Sequence, residues 1–177
     1  MSKLMPAELF CEVFSTYVPR LCVDTAVIGP HDDVIFDHIE GCMPVFKLYA
    51  ECGVALKERH EEPRKGQWGL PGGTVFKGET LAAASKRIVL SDLGVEIDIL
   101  GELGSMEFPD ERRIMKMGKE EKREIAIDSK SFVLLARACT PELQAKHGRR
   151  VGWFKSTPPI QHEYHIPFLF KRGLLVP

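Results

Sequence analysis

The segment from Leu70 to Val95, LPGGTVFKGETLAAASKRIVLSDLGV, constrains the fold more than any other part of the chain. A Pro-Gly-Gly turn precedes apolar residues at helical spacing, which predicts a helix from Thr80 to Leu93. Gly94 then stands in the C′ position, where glycine commonly ends a helix. Positions 88, 91 and 92 are spaced i, i+3 and i+4, so this helix presents them on one face.

This segment resembles the Nudix box, a family pattern of separated Gly, Glu, Arg and Gly-aliphatic positions. The residues that fall in register with the pattern are Gly73, Glu79, Arg87, Val89, Gly94 and Val95. The resemblance implies an α/β (α+β) fold, a Nudix-type α/β/α sandwich with a mixed central sheet, over a single domain of residues 1–177. It also implies that Glu79 and Arg87 pair to brace the loop against the helix.

The metal-binding positions of the box are mostly changed. In ordinary Nudix enzymes positions 88, 91 and 92 are glutamates that hold Mg²⁺ against a diphosphate, and here they are Ile88, Ser91 and Asp92. Paired glycines at 72 and 73 let a backbone carbonyl approach a cation. The resemblance therefore implies one Mg²⁺ ion, with Mn²⁺ as the alternative, held by Asp92 and the Gly72 carbonyl.

The GDP-mannose mannosyl hydrolases are Nudix relatives that have similarly lost the first two glutamates. They use one Mg²⁺ to cleave the sugar C–O bond, and the segments FCEVFSTYVPRLCVD and LKERHEEPRKGQWGLPGG resemble theirs. The resemblance implies that Asp24 contacts the nucleobase and that Arg59 contacts the nucleotide sugar and stabilises the departing charge. His147, six residues before Trp153, is the predicted general base. The expected reaction is Mg-dependent hydrolysis of a nucleotide sugar, with GDP-mannose as the expected substrate.

Three departures from that subfamily leave other functions open. Thr74 replaces an arginine, Asp92 replaces a glutamate, and Lys146 replaces the glutamine before the histidine. One alternative is a pyrophosphatase that cleaves the P–O bond and recruits other acids, and the other is a non-catalytic nucleotide-binding protein. The candidate acids are Glu102, Glu107 and Asp110, and the candidate replacement cations are Arg112, Arg113 and Lys116.

Outside the box, apolar patterning predicts further elements. The predicted helices span 6–14 and 162–172, and the predicted strands span 20–28, 44–56 with a break at Gly53, 95–103, 131–138 and 150–154. Residues 31–52 are expected to be an insertion or an extra strand arm, and residues 106–130 a charged, mobile loop. Trp68 and Trp153 are expected in the core, and His162 and His165 at the surface.

Composition limits the partners and the compartment. The 24 Lys and Arg residues balance 25 Asp and Glu residues, which argues against broad binding of nucleic acid or of an anionic membrane. The N-terminus has no secretory signal pattern, and five cysteines without a Cys-x-x-Cys motif favour a reducing cytoplasm. The expected partner is a small nucleotide sugar, and the resemblance adds a homodimer.

Overall fold

A computed structural model describes residues 20–41, 43–60, 64–117, 121–145 and 149–177, and only the backbone of 110–117 and 121–123. In chain order the strands are β1 Arg20–Ile28, β2 Asp33–Glu40, β3 Met43–Tyr49, β4 Val54–Glu58, β5 Trp68–Gly69, β6 Gly72–Thr74, β7 Ile97–Met117, β8 Glu121–Ala138 and β9 Val151–Phe154. The helices are α1 Leu81–Leu93 and α2 His165–Lys171. The predicted helix at 6–14 lies outside the described residues.

Among the described residues the central sheet has seven strands, and it is mixed. Its main path runs β5-β4-β1-β8-β7, while β6 pairs with β1 and β9 pairs with β4. Strand β1 runs parallel to β8, whereas its pairings with β4 and β6 are antiparallel. Eight of its nine residues are buried because it lies inside the sheet with a helix packed on each face.

Two apolar layers cover the two faces of the sheet. On one face α2 contributes Ile166 and Leu169 to a core that includes Ile28 and Leu56. On the other face α1 packs through buried residues such as Val89 against Val27 and Ala55. Adjacent residues of a strand point to opposite faces, so β1 supplies both layers. The predicted α/β/α sandwich with a mixed sheet is confirmed.

Helix α1 begins and ends as the sequence predicts. The Thr80 side chain accepts a hydrogen bond from the Ala83 amide at 3.1 Å and caps the N-terminus. Gly94 ends the helix with φ 69°, and its amide donates to the Leu90 carbonyl. A Cβ at this glycine would lie 2.7 Å from the Gln144 carbonyl oxygen, so both conformation and space favour glycine there.

Residues 44–56 divide between two sheets, with the break at Gly53 that the sequence predicts. Strands β2 and β3 form a separate two-stranded sheet, and β4 joins the central sheet. Gly53 has φ 98°, and its amide, with those of Glu51 and Cys52, donates to the buried Asp32 carboxylate. Asp32 thereby fixes the chain where it passes from one sheet to the other.

The expectation of a loop over residues 106–130 is wrong. Strands β7 and β8 form a long antiparallel hairpin whose pairing continues from Ile97 with Ala138 to Met117 with Glu121. Charge density indicates exposure to solvent rather than backbone conformation, and a two-stranded ribbon satisfies its backbone hydrogen bonds while both faces carry polar residues. The side chains of Asp110, Arg112, Arg113 and Lys116 lie outside those described.

The final helix is shorter than predicted. It begins at His165, after a turn at Glu163 and Tyr164, and ends at Lys171. Within the described residues no helix is long and apolar enough to cross a bilayer.

Candidate functional site

A cleft of about 250 Å³ opens beside β1 and β6. Strand β1 supplies Asp24, the β4–β5 region supplies Lys57 and Arg59, and the Pro-Gly-Gly turn supplies Gly72. The full lining is Arg20, Cys22, Asp24, Lys57, Glu58, Arg59, His60, Leu70, Gly72, Gly73, Thr74, Phe108, Ser129, Arg149, His162 and His165. The fold thus brings together Asp24, Arg59 and Gly72, which are more than ten residues apart in sequence.

The lining is rich in cations. Arg20, Lys57, Arg59 and Arg149 line the cleft against two carboxylates, Asp24 and Glu58. Glu58 is already in contact with Arg150, whose hydrogen bond lowers the pKa of this carboxyl below its ordinary value. A cleft with this balance attracts anions, because partly buried charges are screened less than exposed ones.

Asp24 is held by neighbours on two sides. It pairs with Gly72 across β1 and β6, and a Cβ at Gly72 would lie 1.6 Å from Asp24 Oδ1. Its other oxygen, Oδ2, lies 3.6 Å from His165 Nε2. Burial alone would raise the pKa of Asp24, but His165 and Lys57 hold it below its ordinary value, so the carboxylate is charged at neutral pH.

His162 and His165 are buried, which corrects the expectation that they lie at the surface. They are 1% and 4% exposed, and their rings stack with centroids 3.8 Å apart. The Leu70 amide donates to His165 Nδ1 at 3.0 Å, and the other ring nitrogen, Nε2, faces Asp24. Burial, together with His165 and Arg59, lowers the pKa of His162 far below its ordinary value.

No sequence pattern showed that these histidines line the cleft. They follow a polar stretch, and only the packing of α2 against the sheet buries them. A Cβ at Gly69 would lie 2.6 Å from His165 Nδ1, so any side chain at this position would clash with the His165 ring. Trp68, in contrast, packs against Phe154 at 4.8 Å between ring centroids, next to the core as expected.

Glu79 and Arg87 form a doubly hydrogen-bonded ion pair. Arg87 Nε donates to Glu79 Oε1 and Arg87 Nη2 donates to Oε2, both at 2.7 Å. Arg87 Nη2 also donates to the Thr74 carbonyl, and Glu79 accepts from the Phe76 amide. The pair therefore joins α1 to the loop after β6. None of these contacts involves Asp24 or Asp92.

Asp92 lies on α1 between two cations. Its Oδ2 contacts the Lys57 ammonium, and its Oδ1 accepts from Arg149 Nη1 at 2.8 Å. The Asp92 side chain is 8% exposed, that of Lys57 14%, and that of Arg149 34%. Both oxygens of the carboxylate expected to bind metal are thus engaged by protein cations.

The described residues do not fit a magnesium ion at this place. Ile88 is buried, and its Cδ1 would lie 3.3 Å from a Cβ on Gly73, so an apolar side chain fills the space beside the glycine. Ser91 is exposed, and no group of three or more His, Cys, Asp or Glu among the described residues could hold a metal. A divalent ion at Asp92 would meet an ammonium and a guanidinium directly.

Two of the candidate acids, Glu102 and Glu107, stand apart from the cleft. Glu102 and Glu107 are exposed and do not line it, and Glu107 is 3.4 Å from Lys130. His147, the predicted general base, and Lys146 before it lie outside the described residues.

A curated protein from Haloferax volcanii, named low-salt glycan biosynthesis protein Agl8, is 49% identical over 57 residues. That match covers 32% of this chain and only 36% of the relative's length. Among solved structures, a MutT NUDIX hydrolase from Burkholderia pseudomallei matches with a TM-score of 0.57 and 21% identity, covering 87% of this chain and 98% of that one. A NUDIX hydrolase from Nitrosomonas europaea matches with a TM-score of 0.52 and 15% identity, covering 85% and 68%. At these identities the structures support the shared fold.

The NUDIX domain model matches residues 43–164, which is more than half of the chain and includes α1, the Pro-Gly-Gly turn and most of the central sheet. The match extends from the start of β3 to the residue before α2. The chain therefore belongs to the Nudix domain family.

Proposed function

We propose that this Nudix protein binds a nucleoside diphosphate-linked sugar in the cationic cleft and hydrolyses it at the sugar carbon, with GDP-mannose as the best candidate. The observation that carries the proposal is the set of four basic side chains, Arg20, Lys57, Arg59 and Arg149, around one cleft that also contains Asp24. A diphosphate carries charge that such cations stabilise, and a nucleobase offers N–H groups to a carboxylate.

The bond cleaved follows from the carboxylates that are missing. Attack at phosphorus requires neutralisation of the attacked phosphoryl group, which several metal-bound glutamates provide in ordinary Nudix enzymes. Attack at the sugar carbon places the developing charge on the departing diphosphate, where Arg59 and the other cations of the cleft stabilise it. The name of the Haloferax relative, a glycan biosynthesis protein, supports a sugar-linked substrate.

The predicted roles of the individual residues remain proposals. Asp24 contacts the nucleobase, Arg59 contacts the diphosphate sugar, and His147 activates water. Nudix hydrolases typically use a divalent metal. One Mg²⁺ held by Asp92 and the Gly72 carbonyl stays a prediction, which the contacts of Asp92 with Lys57 and Arg149 do not favour.

The experiment is isotope tracing during turnover of GDP-mannose in ¹⁸O water, with Mg²⁺ and separately with EDTA. Label in mannose is the expected result and means that the C–O bond is cleaved. Label in phosphate would contradict the proposal and indicate a pyrophosphatase. Absence of turnover across nucleotide sugars, with GDP binding retained, would indicate a non-catalytic nucleotide-binding protein.

A His147→Asn variant tests the predicted base in the same assay. If His147 activates water, kcat falls by about 10²-fold or more while the affinity for GDP is unchanged. An unchanged kcat would assign the base to another group.

A further inference from the structure

The Lys57–Asp92–Arg149 cluster lies where the Nudix box would place its metal. Asp92 belongs to α1, Lys57 belongs to β4, and Arg149 precedes β9. Each cation contacts a different oxygen of the one carboxylate, so the cluster has a net charge of one positive unit. Lys57 and Arg149 also line the cleft beside the Pro-Gly-Gly turn.

Burial strengthens the contacts of this cluster. The Asp92 and Lys57 side chains are 8% and 14% exposed, so water screens their charges weakly. A divalent ion at Asp92 Oδ2 would lie beside the Lys57 ammonium, and the two positive charges would repel each other. Binding of a metal at this oxygen is therefore opposed by the positive charge of Lys57.

We propose that Lys57 and Arg149, oriented by Asp92, bind the diphosphate of a nucleoside diphosphate directly and do so without a divalent metal. This inference rests on the proposed function for its ligand class. It differs from that function because it assigns to two side chains the charge neutralisation expected of Mg²⁺.

The chemistry of the two side chains suits this role. A guanidinium presents paired N–H donors that match two phosphate oxygens, and an ammonium acts as a compact point charge. A carboxylate in contact with both reduces their freedom before the ligand arrives, so less conformational entropy is lost on binding. Arg149 is 34% exposed and retains donors beyond the one that Asp92 accepts, which leaves it able to reach a phosphate.

The first test is calorimetric titration of the full chain with GDP, and with inorganic pyrophosphate, in EDTA and in excess Mg²⁺. The expected result is saturable binding of both ligands in EDTA, with an affinity that Mg²⁺ improves by less than about threefold. An affinity at least tenfold higher in Mg²⁺, about 1.4 kcal/mol, would overturn the proposal. So would saturable binding of Mn²⁺ to the free protein, followed by electron paramagnetic resonance.

The second test uses side chains of similar size without charge. Lys57→Met and Arg149→Met should each weaken GDP binding in EDTA by at least tenfold. The matched control is Lys86→Met, since Lys86 is an exposed lysine of α1 outside the cleft, and its affinity should match that of the unaltered protein. Equal affinity of all three variants for GDP would overturn the proposal.

Circular dichroism identifies a variant that does not fold. If Lys57→Met leaves Asp92 too poorly paired for folding, the more exposed Arg149 still tests the proposal. Failure of the inference is distinguishable from failure of the proposed function. If the protein binds GDP without metal, depends on Lys57 for this binding and turns over no nucleotide sugar, the inference holds and the proposed function fails. If it turns over a nucleotide sugar only in the presence of Mg²⁺, the proposed function holds and the inference fails.

Discussion

Gly72 and Asp24 face each other across β6 and β1 so closely that a Cβ at Gly72 would lie 1.6 Å from Asp24 Oδ1. This contact joins the Pro-Gly-Gly turn, which precedes α1, to the buried carboxylate of the cleft. Asp24 in turn lies 3.6 Å from His165 at the start of α2. The position of one glycine thereby determines where a charged group of the cleft lies.

A Gly72→Ala substitution should displace Asp24 and destabilise the fold by about 1–3 kcal/mol, because strand backbone and a buried side chain must both shift. Urea denaturation measures the stability, and calorimetry with GDP measures the cleft. The control is Gly101→Ala, since a Cβ there would meet no heavy atom within 4 Å. Equal stability of the two variants would show that Asp24 moves aside without cost.

A Glu79→Gln substitution should destabilise the protein by about 1–3 kcal/mol at neutral pH, because the two charge-assisted hydrogen bonds to Arg87 are weakened. The hydrogen bond from Arg87 lowers the pKa of Glu79 in the folded protein, although burial opposes it. The stabilisation is therefore complete above pH ~4.5 and is lost as pH falls through the folded pKa. Denaturation at a series of pH values checks both statements.

For that series the matched control is Glu96→Gln, which alters an exposed glutamate. Its stability should follow that of the unaltered protein at every pH. A constant difference between Glu79→Gln and the unaltered protein down to pH 3 would contradict the assigned linkage.

An Asp32→Asn substitution should cost at least ~2 kcal/mol, because an amide group has one acceptor oxygen where the carboxylate has two. Asp32 accepts from the amides of Gly29, Glu51, Cys52 and Gly53. Burial alone would raise the pKa of Asp32, but these amides lower it, so its contribution is present above pH ~3.8 and disappears at lower pH.

Asp33→Asn is the natural comparison, since its side chain is 78% exposed and 3.4 Å from Arg137. We expect it to change the urea midpoint little. If the two substitutions lower the stability equally, the charge of Asp32 is not needed to hold the four backbone amides that it accepts from.

Protonation of His162 should make the protein sensitive to mild acid. Its folded pKa lies far below its ordinary value through burial and through His165, so below pH ~6.5 the unfolded chain binds a proton that the folded one does not. His162 should therefore lower the free energy of unfolding by ~1.4 kcal/mol for each unit by which the pH falls below ~6.5. A His162→Asn variant should lose that dependence between pH 6 and 4 in denaturation experiments.

His38→Asn serves as the control, because the His38 side chain is 55% exposed. Its pH dependence should match that of the unaltered protein. Parallel curves for His162→Asn and the unaltered protein would mean that His162 is protonated in the folded state.

Local patterns in the sequence were sufficient for much of the fold. The bounds of β1 and the end of α1 at Gly94 follow from apolar spacing and from a glycine in the left-handed region, both of which act within a few residues. The separation of Glu79 and Arg87 likewise places them within reach once the helix forms. Charge density over 106–130 misled the prediction, because it reports exposure and leaves the backbone conformation open.

The surroundings of Asp92 and His165 were decided by the tertiary structure alone. Lys57 is 35 residues from Asp92 and Arg149 is 57, and Leu70 is 95 residues from His165. Contacts of this kind form only when the sheet brings distant strands together and buries their ends, and no local pattern records them. The sequence alone therefore determined the Nudix helix and the presence of Ile88, Ser91 and Asp92 on one of its faces, whereas only the packing of β4, α1 and Arg149 decided that two protein cations flank the Asp92 carboxylate.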